Sequence, residues 1–117
     1  MKEEPMEYVI PDIPELHQRV LDRLLAASAD GSEGLTTDEL AAAVGLPPTR
    51  ENVEIRRVLR ELIEYGIPVC SGRRGFHMPS DPADVDRTTT SLRGRIHQIE
   101  LRVLSLERAK DQWFHNN

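Results

Sequence analysis

A chain of 117 residues with 38% hydrophobic and only 4% aromatic residues is sized for one domain with a small aliphatic core, plus a short extension. No apolar run approaches the roughly 18 residues of a membrane span, the acidic start MKEEPMEYVIPDIP lacks a signal-peptide core, and the lone Cys70 permits no intrachain disulfide, so a cytoplasmic setting is expected. The net charge of −5 is unevenly spread: residues 1–49 carry three Lys/Arg against ten acids, and residues 50–117 carry twelve against ten.

Residues 1–13 form an acidic N-terminal arm, in which Pro5 and Pro11 break regular structure. It is expected to be a loose tail or, in the sharper reading, an arm folded over basic surface. A first helix is predicted from Glu15 to about Ala29. Leu16, Val20, Leu24 and Ala27 set its apolar stripe, and Leu21 and Leu25 broaden it. The segment DGSEG ends the helix, and Leu35 is placed to start a very short strand that pairs with a later hairpin.

Thr36 and Glu39 have the spacing of a capping box and open a short second helix. Leu40, Ala41 and Val44 are its apolar side, Gly45 its end, and Leu46 is expected beneath the turn. A third helix follows Pro47-Pro48, with Thr49 and Asn52 as competing N-caps. Ile55, Leu59 and Leu62 recur at i, i+4 and i+7 and face a core. Arg50, Val53, Arg57 and Arg60 fall on the opposite side. Gly66 is placed to end this helix in a left-handed conformation. Ile67-Pro68-Val69-Cys70 reads as a strand, Ser71-Gly72-Arg73-Arg74-Gly75 as a basic turn, and Phe76-His77-Met78 as the return strand.

The order TTDELAAAVGLP, EIRRVLRELIEYGIPV and SGRRGFHMP resembles a bacterial or phage winged helix-turn-helix domain. It is similar in pattern to the N-terminal DNA-binding domain of the biotin-dependent repressor-ligases. The resemblance covers roughly residues 15–80. It departs from the common pattern between Gly45 and Ile55, where the connection is about one helical turn longer. The resemblance implies a mainly α fold with a small β-hairpin, and a DNA-binding role. No ligase-like pattern follows, so it implies no biotin chemistry.

Residues 80–84, SDPAD, read as a linker before a long helix, 84–113. Val85, Thr89, Leu92, Ile96, Ile99, Val103, Leu106, Lys110 and Trp113 are spaced alternately by four and three, a heptad seam. With Val85 at d, β-branched residues at a lean toward a parallel dimer. In such a pair Arg95 meets Glu100 of the second copy, and Arg102 meets Glu107. The expected dimerisation residues are Leu92, Ile96, Ile99, Val103, Leu106 and Trp113. The competing expectation is that this helix packs on its own domain, and Leu101 and Leu104 off the seam support it.

The sequence shows no enzyme pattern and no cofactor-binding motif. His17, His77, His97 and His115 have no metal-ligand spacing and read as surface or edge residues. Cys70 reads as a small buried apolar residue. The candidate DNA-binding residues are Thr49, Arg50, Val53, Glu54, Arg57 and Arg60 on and before the third helix, with Arg73 and Arg74 on the wing. Guanidinium forks suit guanine and phosphate, Val53 a thymine methyl, and Glu54 the cytosine amine. The expected function is that of a homodimeric, sequence-specific binder of double-stranded DNA, a bacterial or phage transcriptional regulator. The alternative is a winged helix that binds a replication, packaging or polymerase protein without reading DNA.

Overall fold

A computed structural model describes residues 12–47, 49 and 52–116. Among them run helices α1 (Glu15–Ala29), α2 (Thr37–Ala43) and α3 (Val53–Glu64), strands β1 (Cys70–Gly72) and β2 (Gly75–His77), and helix α4 (Pro82–Asn116). The chain divides into two units, Met1–Ser80 and Asp81–Asn117. All of the expected acidic arm except Asp12 and Ile13 lies outside the described residues.

In the first unit α1 packs against α2, α3 and β2, and α2 packs against α3. α1 has the predicted bounds and keeps most of the predicted stripe: Ala27 is buried and Leu16 packs against the core, while His17 joins the buried face and Leu25 leaves it. His17, Val20, Leu21 and Leu24, at i, i+3, i+4 and i+7, are buried, whereas Leu25 is 42% exposed. His17 is therefore not the surface residue expected from its polarity. It occupies a core-facing position and finds a partner on α3. Burying each large aliphatic side chain contributes about 1.5–3 kcal/mol, so this face outweighs helix propensity in fixing α1.

α2 is started by the predicted capping box. Glu39 N–H donates to Thr36 Oγ1 at 3.1 Å, and Thr36 N–H donates to Glu39 Oε1 at 3.0 Å. After Val44 the backbone turns at Gly45, with φ +74°, and Leu46 N–H reaches back to Ala41 O at 2.9 Å. Leu46 then packs against the core, as expected.

The start of α3 settles the choice between two caps. Asn52 holds the N-cap position in a left-handed conformation, φ +47°, yet its side chain caps nothing. Its amide instead donates to Thr37 Oγ1 at 3.0 Å and Asp38 Oδ1 at 2.6 Å, tying the start of α3 to the start of α2. Thr49 Oγ1 accepts the Asn52 N–H at 3.0 Å. The buried side of α3 is Ile55, Leu59 and Leu62, with Val58 added. Gly66, φ +93°, ends the helix region, and Ile67 N–H bonds Leu62 O at 3.0 Å.

Ile67 and Val69 are buried, but the ladder begins only at Cys70, later than the sequence suggested. The strands pair antiparallel as Cys70↔His77, Ser71↔Phe76 and Gly72↔Gly75. Both glycines are thus strand ends, and the turn shrinks to Arg73-Arg74. The strand expected at Leu35 is a single antiparallel bridge to Phe76, closed by two backbone bonds of 2.8 Å. The two backbones approach so closely there that a Cβ on Gly75 would stand 2.2 Å from Leu35 O, and one on Gly34 would stand 2.9 Å from Arg74 O. Cys70 is buried as a free thiol, as expected.

The second unit is α4, about 52 Å long at 1.5 Å per residue. It starts inside the expected linker, because Asp81 Oδ1 accepts the Asp84 N–H at 3.0 Å and Pro82 suits the first turn. Its seam side chains from Leu92 to Trp113 are exposed, and so are Leu101 and Leu104. Among the described residues no helix is long and apolar enough to cross a membrane.

Gly75→Ala should cost at least about 2 kcal/mol, because φ is +111° and the obstructing atom is backbone. Gly94 has open space around its Cβ position. Gly94→Ala should instead stabilise α4 by up to about 1 kcal/mol. Thermal melts followed by circular dichroism will separate the two, since 1 kcal/mol moves a domain of this size by about 4–8 °C.

Candidate nucleic-acid interface

The outer surface of α3 carries two parallel stripes. Val53, Arg56 and Arg60 lie at i, i+3 and i+7; Glu54, Arg57 and Glu61 repeat that spacing one residue on. Residues so spaced are neighbours on a helix, so each stripe acts as a unit. The first stripe joins two cations to one exposed apolar side chain, Val53, at 64% exposure. The second is a cation between two acids.

The second stripe is internally paired. Arg57 Nη2 lies 2.7 Å from Glu54 Oε1, and Nη1 lies 3.1 Å from Glu61 Oε1. Glu61 Oε1 also meets His17 Nε2 at 2.9 Å. His17 is only 5% exposed and holds Tyr65 edge-on, with ring centroids 6.0 Å apart. The hydrogen bond from His17, more than the charges of Arg57 and Arg60, holds the Glu61 carboxyl below the usual glutamate value. Thr36 does the same to Glu39, first through its backbone N–H and then through its hydroxyl.

The first stripe borders the wing. Arg56 lines an open cleft of about 620 Å³ together with Arg73 and Arg74 from the hairpin tip, Ser32 from the α1–α2 loop, and Thr36 and Thr37 from the start of α2. Three guanidinium groups line it and offer donors to an anion there. Glu33 and Glu39 also line the cleft, and Glu33 Oε2 lies 3.4 Å from Arg74 Nε. That pair is exposed on both sides, so it holds Arg74 weakly.

The residues singled out by sequence thus have different surroundings. Val53 and Arg60 share one exposed stripe, and Glu54 and Arg57 are paired to each other on the next. Thr49 is exposed beside the start of α3, with its oxygen bonded to Asn52 N–H. Arg73 and Arg74 stand at the hairpin tip. Arg50 lies outside the described residues. Sequence reasoning passed over Arg56, although its i+3 spacing from Val53 and i−4 spacing from Arg60 was a usable signal. Among the described residues no group of His, Cys, Asp and Glu could hold a metal ion. No protein-family model, no curated protein and no solved structure matches the chain.

The depressed carboxyls of Glu61 and Glu39 give a signed pH dependence. The folded state binds their protons less readily than the unfolded state, so their contribution is present above the ordinary glutamate value, about 4.3. It is lost as pH falls through the lower folded values. Glu61→Gln should therefore flatten the fall in stability below about pH 4.3, measured by urea melts across an acid pH series. An unchanged slope would show that the bond to His17 does not favour the carboxylate.

Proposed function

We propose that the protein is a homodimeric, sequence-specific binder of double-stranded DNA that acts in transcriptional regulation, of the bacterial or phage type. The observation that carries the reading is the meeting of Arg56 from α3 with Arg73 and Arg74 from the hairpin tip along one open cleft. A helix with an exposed cationic stripe beside a cationic hairpin has the layout of a winged helix. In that layout α3 enters the major groove and the wing holds flanking backbone. On this stripe Arg60 and Arg56 present guanidinium forks to guanine or phosphate, and Val53 presents a methyl surface to thymine. Phosphates respond to local charge within a Debye length of about 8 Å, so the chain's net −5 does not decide the matter.

The dimer in this proposal forms along the α4 seam, with Leu92, Ile96, Ile99, Val103 and Leu106 as its core and Trp113 near its end. These side chains are exposed in the single chain, and a row of exposed apolar residues at heptad spacing is stabilised by pairing. A second reading, a module that binds another protein, is favoured by one observation: Arg57 and Arg74 are each already paired with carboxylates. A low-salt mobility shift on random genomic fragments separates the two, since a protein-binding module leaves the fragments unshifted.

Replacing Arg73 and Arg74 together by Ala should weaken binding to all duplexes. It should also shallow the log–log salt dependence by roughly two, if each arginine neutralises one phosphate. A wild-type slope in the variant would remove the wing from the interface. For the dimer, Ile99→Asp should yield monomers in sedimentation analysis and weaken binding to a two-fold site far more than to a half-site. A variant that stays dimeric would place the pairing surface elsewhere.

A further inference from the structure

Resting on the DNA-reading proposal, we propose that Glu54 and Glu61 form a carboxylate bracket around Arg57 that determines sequence specificity, with His17 as its positioning residue. The bracket is built from the core outward. His17 is anchored in the buried face of α1, and its Nε2 meets Glu61 Oε1 at 2.9 Å. That same oxygen accepts from Arg57 Nη1 at 3.1 Å, while Glu54 Oε1 takes Nη2 at 2.7 Å. Donation to a carboxylate fixes a hydrogen on His17 Nε2. Among the described residues His17 Nδ1 is buried without a hydrogen-bond partner, so the ring's one polar tie is to Glu61.

Two physical consequences follow for a DNA reader. The stripe of Glu54, Arg57 and Glu61 sums to one negative charge, so it gains nothing from phosphate alone. It repels the backbone of any duplex on which Arg57 finds no base acceptor. Arg57 is also bonded through both Nη atoms, so part of its rotamer freedom is already lost before DNA arrives. The stripe of Val53, Arg56 and Arg60 then supplies attraction, and the bracket supplies discrimination.

The test uses the full chain and duplexes selected by it from a random pool, with a scrambled duplex of equal length as the reference. Glu54→Gln and Glu61→Gln should each tighten scrambled-duplex binding at least about threefold, and by more than they tighten the selected duplex, the size expected for deleting one partly exposed charge. The ratio of the two dissociation constants therefore falls. His17→Leu keeps the apolar packing but removes the donor, and it should lower the same ratio; His17→Gln, which retains an N–H donor, should restore part of it. An unchanged ratio in Glu54→Gln and Glu61→Gln overturns the bracket while leaving DNA binding standing. Wild-type protein that binds neither duplex overturns the DNA reading and the bracket with it.

Discussion

The candidate surface depends on one backbone contact, the exchange of two 2.8 Å hydrogen bonds between Leu35 and Phe76. A two-stranded hairpin of three residues a side is marginal by itself. The bridge to Leu35 gives it a third partner at the point where α2 is about to begin. Gly34 and Gly75 are required because the two backbones are closer there than any Cβ permits. Thr36, next in the chain, caps α2, so the same few residues set the hairpin and the start of α2. The cleft bounded by Arg56 and the hairpin tip exists because this junction holds the tip beside α3.

Within that frame, charge placement matters more than charge total. α3 divides its outer surface between a stripe with two arginines and one in which a single arginine lies between two carboxylates, and the division follows from side-chain reach at i, i+3 and i+7. Glu61 is the hinge of this arrangement, because it faces α1 through His17 and the outer surface through Arg57. A residue of the core-facing stripe therefore bears on how an exposed guanidinium is presented. Counting arginines overstates the basic surface here, since Arg57 and Arg74 each carry acidic company.

Much of the fold was legible from spacing alone. The limits of α1, the Thr36–Glu39 capping box, the glycine stops at Gly45 and Gly66, and even the short pairing at Leu35 are local signals with a direct physical cause. The misses share another origin. His17 and Leu25 exchanged expected roles because polarity was read ahead of periodicity, and a histidine with a carboxylate partner can occupy a core position. Strand β1 started late because Ile67 and Val69 are buried for packing and not for ladder pairing. Helix α4 began inside the expected linker because Asp81-Pro82 is as good a helix start as it is a turn. For the site, sequence gave the cationic residues but not their partners. That Arg57 lies between two carboxylates became visible only once Glu54 and Glu61 were placed beside it.

The seam of α4 carries its own argument about alignment. Two copies brought together antiparallel would set g residues against g residues, so Arg95 and Arg102 would oppose one another across the interface. The parallel arrangement sets each of those arginines against a glutamate, Glu100 and Glu107, of the second copy. Exposed pairs of this kind contribute about 0.2–1 kcal/mol each, too little to create a dimer but enough to choose between two otherwise similar ones. Lys110 at an a position weakens the last heptad, and Gly94 weakens the helix near its start. In the proposed dimer the stretch from Ile96 to Leu106, where every seam position is aliphatic, would pair most strongly. A parallel pair puts like ends of α4 together, and a two-fold axis along the seam then makes any DNA site read by both copies a repeat related by the same symmetry.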